Sequence, residues 1–539
     1  MPVISPSVNY APLSPLQFLE RSLLVYPNKP AVVYGQAVYT YAQYNDRICR
    51  LGEALRALGI GRGDRVAIMA PNIPPMLDAK FGPMRIGAIL VPLNIRLSSR
   101  EIAYILNHSG AKVLIFDSEF ADTVRELRQD VSSTMAYVQI VDTAPKAVDI
   151  PGPEYEEFLD AAPPRPGPAA EIDESDPICI NYTSGTTGFP KGVVFHARGA
   201  WINAVGEVIE TGMNWRSVYL WTLPLFHCNG WCFPWGIVAI GATSVCLRKV
   251  VPADIFRLIN RSGVTHMCCA PTVLTALYSS PDAAGQDLSG VTIATAGAPP
   301  APQVIRTMER MGAQIHHLYG LTETYGPYTV CADQPGWSDL DPEQRALVKA
   351  RQGVPYGVAG AGLRVVDEDM QDIPRDGQTM GEVVMRGNMV MTEYYEDTEA
   401  TAAAFRGGWF HSGDLAVWHP DGYVELKDRS KDIIISGAEN ISSQEVEKVV
   451  MEHPDVLEVC VVGVPDDKWG EVPKAFVVRR PGSEVSAAAV IEFTRARLAH
   501  FKCPKHVEFG DLPKTATGKI QKFVLRDREW QGSGRRIKG

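Results

Sequence analysis

Tyr182-Thr183-Ser184-Gly185-Thr186-Thr187-Gly188-Phe189-Pro190-Lys191-Gly192 follows directly on the apolar run Ile178-Cys179-Ile180-Asn181. Glycines in such a string let backbone approach a ligand closely and take positive φ. The hydroxyls of Thr183, Ser184, Thr186 and Thr187 and the ammonium of Lys191 supply donors for phosphate oxygens. The string is not the usual P-loop, in which G-K-[ST] follows the first glycine at a fixed spacing. A Ser/Thr/Gly surface turn is the plain alternative, disfavoured by the buried strand immediately before it.

Upstream, Thr40 caps a helix that runs through Leu51, Leu55 and Leu58 and ends in a Gly-rich turn at 59–64. Residues 64–70 then read as a buried strand, about 74–86 as a helix, and 88–93 as a strand. Ser98 and Ser99 open another helix, and 112–117 form a further strand. Strands alternating with helices imply βαβ units and a sheet covered on both faces. Residues 144–177, rich in proline and acid, read as a surface connection to a second α/β stretch over 178–332. From 353 to 426 the pattern turns to short strands and turns. After Asp428-Arg429-Ser430-Lys431-Asp432 a new unit of roughly 100 residues begins, of a size that can fold and move on its own. The expected fold class is therefore α/β. A large N-terminal domain (1–430) holds two α/β subdomains plus a small β subdomain, and a mobile α+β C-terminal domain (431–539) follows.

The chain has 539 residues, 45% of them hydrophobic, ample for several packed cores. A net charge of −10 argues against non-specific binding to nucleic acid or an anionic membrane surface, while leaving room for an anionic substrate in a locally basic site. No apolar run is long enough for a transmembrane helix, and the first residues lack a secretory signal pattern. Ten scattered cysteines without a C-x-x-C pair point to buried free thiols and a cytoplasmic location.

Further motifs follow the glycine-rich string in a fixed order. They are Pro224-Leu225-Phe226-His227, Ala296-Gly297-Ala298-Pro299, Tyr319-Gly320-Leu321-Thr322-Glu323, Trp409-Phe410-His411-Ser412-Gly413-Asp414, the 428–432 segment, Ser436-Gly437-Ala438-Glu439-Asn440 and Pro513-Lys514-Thr515-Ala516-Thr517-Gly518-Lys519. Together with the string they closely resemble the signatures of the adenylate-forming superfamily, which contains acyl-CoA synthetases, adenylation domains of peptide synthetases and luciferases. The resemblance spans nearly the whole chain. It implies an ATP-dependent carboxylic acid:CoA ligase, with ATP, Mg2+ and coenzyme A as its cofactors and co-substrates. In that chemistry the carboxylate attacks the α-phosphorus of ATP and releases pyrophosphate. A thiol then takes the acyl group and releases AMP.

The resemblance also implies roles. Lys519 bridges substrate carboxylate and phosphate, a solvated surface lysine being the alternative. Glu323 is the Mg2+ ligand, with Thr183 beside it; a single acid suits a cation that keeps several waters. A helix-capping role is compatible for Thr322 and Glu323. Thr183, Ser184, Gly185, Thr186, Thr187, Gly188 and Lys191 cradle the phosphates. Gly297, Ala298, Pro299 and Tyr319 through Glu323 line the nucleotide, Tyr319 stacking on adenine or, alternatively, packing in the core. Asp414 accepts both ribose hydroxyls, and Arg429 touches ribose or phosphate. His227 sits near the acyl carboxylate as a gate, a satisfied core histidine being the alternative.

The second step requires Lys519 to withdraw, which the family achieves by rotating the small domain about a hinge matched here by Lys431. Ser436, Gly437 and Glu439 would then face the site, with Gly437 leaving space for the pantetheine arm. Trp231 and Trp235, after His227, and Gly297 would line the acyl pocket, bulk there favouring short to medium acids. Core packing of the two tryptophans is the alternative. His227-Cys228-Asn229-Gly230-Trp231-Cys232 and the 436–443 segment resemble a subgroup with 3-methylmercaptopropionyl-CoA ligases and plant short-chain acyl-activating enzymes. Loading of a carrier protein, or a longer fatty acid, are the alternative activities. The family's tendency to pair suggests a homodimer.

Overall fold

The computed structural model describes residues 6–531 except 135, 164–165, 184–189, 361, 430, 437–438, 467 and 516–518. Two largely parallel sheets dominate. The six-stranded sheet runs in the order Ala136–Ile140, Ala111–Asp117, Arg65–Met69, Ile89–Pro92, Pro177–Tyr182, Gly192–His196, with only its last pair antiparallel. The nine-stranded sheet is parallel from Gln314–Leu321 through Thr292–Thr295, His266–Cys269, Val218–Leu220 and Thr243–Val245 to Pro30–Tyr34. Antiparallel strands close both its edges. One continuous core joins the two sheets, from Val66 and Ile68 to Tyr219 and Leu318.

A four-stranded antiparallel sheet follows, Gly362–Val366, Met380–Arg386, Phe410–Trp418 and Val424–Arg429. Last comes a five-stranded mixed sheet built on the long hairpin Val456–Asp466 and Gly470–Arg479, flanked by helices Ser443–Met451 and Ala487–Arg495. Its apolar cores are separate from those of the larger sheets. This is a mixed α/β fold with a large N-terminal part and a small C-terminal one, as the sequence pattern leads one to expect.

Local signals account for the element ends. Thr40 accepts from the backbone of Gln43, whose side chain returns the bond, and so starts helix Tyr41–Ala57. Ser98 and Glu101 do the same for Ser99–Ser109, which stops at Gly110 in the left-handed region.

Three expectations need correction. The helix over 74–86 is two short pieces, Pro74–Asp78 and Gly82–Arg85. Pro83 has no N–H to donate to the turn before it, and Gly82 packs so closely on the neighbouring helix that a Cβ there would meet Leu51 at 2.5 Å. The 144–177 stretch is not wholly a surface connection, because helix Tyr155–Asp160 buries Tyr155, Phe158 and Leu159. Nor are the two α/β stretches sequential. The strands flanking the glycine-rich string complete the first sheet, while Pro30–Tyr34 and Ala37–Thr40 cross over to complete the second. Apolar strand runs do not encode which sheet they join.

All ten cysteines are unpaired and buried. Among the described residues, no helix is long and apolar enough to cross a membrane.

Candidate active site

Four of the sequence motifs converge because each follows the carboxyl end of a parallel strand, where open α/β sheets bind their ligands. Thr183 follows Pro177–Tyr182 in the first sheet. Segment 221–227 follows Val218–Leu220, 296–299 follows Thr292–Thr295, and 322–323 follows Gln314–Leu321 in the second. At the base of the glycine-rich loop the Thr183 N–H donates to the Lys191 carbonyl at 3.0 Å. Ser184, Gly185, Thr186, Thr187 and Gly188 lie outside the described residues. Lys191 is exposed, its ammonium 4.8 Å from the centre of the Tyr394 ring.

Tyr394 also donates to Glu323 Oε1 at 2.8 Å. Burial pushes the Glu323 carboxyl above the usual range, and the Tyr394 hydroxyl and the more distant Arg429 oppose the shift. Thr322 and Glu323 open a single 3-10 turn, Thr322–Thr324, rather than a longer helix. Among the described residues no three His, Cys, Asp or Glu side chains gather into a metal-holding group.

Asp414 and Arg429 are paired in register on adjacent antiparallel strands. Asp414 is 4% exposed; its Oδ2 accepts from the Tyr319 hydroxyl at 2.7 Å, and its Oδ1 lies 3.2 Å from Arg429 Nε. Tyr319 is thus a core tyrosine whose polar tip holds the carboxylate. A carboxylate has about four acceptor sites, so capacity for two further donors remains. Gly320 is confined by the neighbouring strand, because a Cβ there would lie 1.9 Å from the Gly326 carbonyl oxygen. By contrast Gly297, at φ +86°, faces open space beside partly buried Ala298 and Pro299. The Leu321 N–H donates to Thr324 Oγ1 at 2.9 Å.

The C-terminal part brings Lys519 to this cleft. Solvent reaches Lys519, yet its surroundings act on it strongly. The charge of Arg429 first, and burial second, pull its amine down to about 7, with Asp414 and Asp432 pulling the other way. Lys519 is also felt by His227, whose imidazole burial, and then Lys519, depress to about 4, leaving it neutral at physiological pH. His227 Nε2 lies 3.7 Å from Cys228 Sγ, itself 3.4 Å from Thr322 Oγ1. Lys519, His227, Arg429, Asp414, Tyr319, Thr322 and Glu323 therefore surround one cleft, although they come from two different sheets and the tail.

Trp231 and Trp235 are both buried, at 3% and 0% exposure. Trp231 packs on Gly326, where a Cβ would meet its Cδ1 at 2.9 Å. Trp235 points into the core and donates to the Lys80 carbonyl at 3.3 Å, so the packing alternative holds for this residue. Lys431 is half-buried, its amine held down to about 8 by burial and by Arg429. Its carbonyl accepts from Arg526 at 2.9 Å, and Arg526 pairs with Asp432 at 2.6 Å. Buried Ser436 and exposed Glu439 pair with each other in a hairpin of the last sheet. Among the described residues no hydrogen bond or ion pair joins either of them to the Lys519 group. Gly437 lies outside the described residues.

Sequence reasoning missed Tyr394 and Lys80. Nothing in their local sequence marks them, because the partners they hold, Glu323 and Trp235, lie 71 and 155 residues away.

Comparison with known proteins fits this geometry. Residues 19–395 match a family model described as AMP-binding enzyme, and 445–519 one described as AMP-binding enzyme C-terminal domain. The chain is 46% identical to a peroxisomal acetate/butyrate–CoA ligase of Arabidopsis thaliana, over 96% of this chain and 95% of the relative. It is 45% identical to 4-hydroxybutyrate–CoA ligase 2 of Metallosphaera sedula, with the same coverage. Among solved structures it resembles the anthranilate CoA ligase AuaEII in complex with anthranoyl-AMP, with a TM-score of 0.86, 27% identity, and coverage of 98% and 99% of the two chains.

Proposed function

The chain belongs to the AMP-binding enzyme family and is an ATP-dependent acid:CoA ligase, and from that premise we propose that its acid is short to medium in length, 3-methylmercaptopropionate being the specific substrate. The observation that carries the length reading is Trp231, whose buried ring fills the space against Gly326. Bulk at the end of a pocket excludes longer chains. The acetate/butyrate and 4-hydroxybutyrate names of two relatives support short acids. A thioether is near-isosteric with a methylene, so shape separates the two by only ~1–3 kcal/mol, and butyrate-like acids react as well. A panel of acids compared by kcat/KM, with CoA as acceptor, tests this; an optimum at dodecanoate or beyond overturns it.

In this reading the Lys519 ammonium and Arg429 neutralise charge that gathers between carboxylate and α-phosphate, and Asp414, held by Tyr319, orients the ribose. The phosphates lie along the loop from Thr183 to Lys191. Glu323, fixed by Tyr394, and Thr183 fit Mg2+, a hard cation that needs few protein oxygens and neutralises phosphate charge when bound. His227, being neutral, gates the acyl carboxylate and serves neither as a charged anchor nor as an obligatory base. Lys519 sits where a thiol must later enter, so thioester formation follows a rotation of 431–539 against 1–430 about Lys431 that presents 436–439. The ten buried, unpaired thiols fit a reducing compartment, read here as the cytoplasm. Fractionation of cells producing the tagged full-length chain checks that.

A further inference from the structure

Lys80 lies in the break between helices Pro74–Asp78 and Gly82–Arg85, 1% exposed, and among the described residues no carboxylate pairs with it. A buried ammonium without a counter-charge is costly to keep, so what its protons hold matters. It donates to the Leu225 carbonyl at 2.8 Å and to Asn229 Oδ1 at 2.5 Å, two acceptors that bracket His227. The Asn229 amide in turn donates to Cys179 Sγ, in the strand that leads to Thr183. Asn72 grips the same segment from its other end. It donates to the carbonyls of Trp221 and Leu223 and accepts from the Leu225 N–H.

The segment needs holding. Cys228, Asn229, Gly230, Trp231 and Cys232 all have positive φ, from 40° to 68°, and only one of them is glycine. Side-chain-bearing residues persist in that region only where surrounding contacts over-determine them. Burial also holds the Lys80 amine down to about 7, with the thiols of Cys179 and Cys232 opposing.

We propose that Lys80 is a positioning residue of the acid site: by donating to Leu225 and Asn229 it fixes the left-handed turn that carries His227 and Trp231. This rests on the reading of those two residues given above. Lys80 touches neither substrate nor nucleotide in this reading. It acts through the turn, and should therefore govern acid binding and acid selectivity while leaving ATP binding alone.

The test uses the full chain and acid-dependent ATP–pyrophosphate exchange. Lys80→Met should raise the acid KM by about tenfold, the effect expected when a hydrogen bond to a charged group is lost. It should also flatten the preference for butyrate over octanoate, while the ATP KM moves by less than about twofold, because neither acceptor of Lys80 belongs to the nucleotide site. Asn229→Gly added to Lys80→Met removes the side-chain one of the two orphaned acceptors and suits the positive φ. The pair should regain the melting temperature that Lys80→Met loses, and not the acid KM or the selectivity, which a merely structural role would restore together.

An unchanged acid KM and selectivity in Lys80→Met overturns the proposal. So does their recovery in the double variant, or failure of both variants to fold, which would assign Lys80 to core formation alone. His227→Ala is run alongside. If it is as active as the parent, the reading of His227 falls; if it is impaired while Lys80→Met is not, only the present proposal falls.

Discussion

At the scale of single residues the cleft is a set of charges that tune one another. Arg429 is the largest influence on Lys519, and together with burial it lowers that amine to about 7. The lysine is therefore cationic below that pH and loses its charge as pH rises through it. If its ammonium is what neutralises the developing charge, kcat/KM for ATP in pyrophosphate exchange should decline above about 7. Arg429→Gln should move that alkaline limb to higher pH, whatever it does to the plateau. A limb that stays in place would show that another group titrates. Tyr319→Phe removes the hydroxyl that donates to Asp414 and should raise the ATP KM roughly tenfold, with the acid KM little changed. The charged members, Lys519, Asp414, Arg429 and Glu323, were legible in the sequence because each stands in a fixed motif. The groups that hold them, Tyr394 on Glu323 and Lys80 on the His227 turn, were not, since a hydrogen-bond partner 71 or 149 residues away leaves no local pattern.

At the scale of elements, caps and periodicity were readable to within a residue or two, as Thr40 and Ser98 illustrate. The broken helix at 79–81 was not, because its cause is the closeness of Gly82 to a neighbouring helix as much as Pro83 itself. Glycine positions separate in the same way. Gly320→Ala would drive a Cβ into the Gly326 carbonyl and spread the hairpin Gln314–Leu321 with Gly326–Val330. It should lower the thermal midpoint by an amount equivalent to about 1–3 kcal/mol or more and abolish exchange with it. Gly297→Ala meets no atom within 4 Å and adds only the strain of its φ of +86°, on the order of 1 kcal/mol. Differential scanning fluorimetry of the two variants side by side checks the contrast.

At the scale of the whole molecule, the tail segment carrying Lys519 meets a cleft built by the larger sheets, and the hinge reading turns that meeting into one of two arrangements. Lys519→Ala should abolish adenylate formation yet spare thioester formation from supplied acyl-adenylate, and Gly437→Leu should do the reverse. Equal damage to both half-reactions in Lys519→Ala would leave a single arrangement as the simpler account. The succession of α/β, β and α+β regions could be read from hydrophobic pattern. The exchange of strands between the two big sheets could not, because parallel pairing is decided by packing over hundreds of residues.

That exchange has a cost during biosynthesis. The hairpin Pro30–Tyr34 and Ala37–Thr40 leaves the ribosome early, yet the strand it docks on, Thr243–Val245, is made some two hundred residues later. At 5–20 residues per second the nascent chain carries this unpartnered apolar edge for roughly 10–40 s. The early portion is thus a natural client for holding chaperones, and translation stalled before residue 243 should leave the first forty residues open to protease, while stalling well beyond it should not.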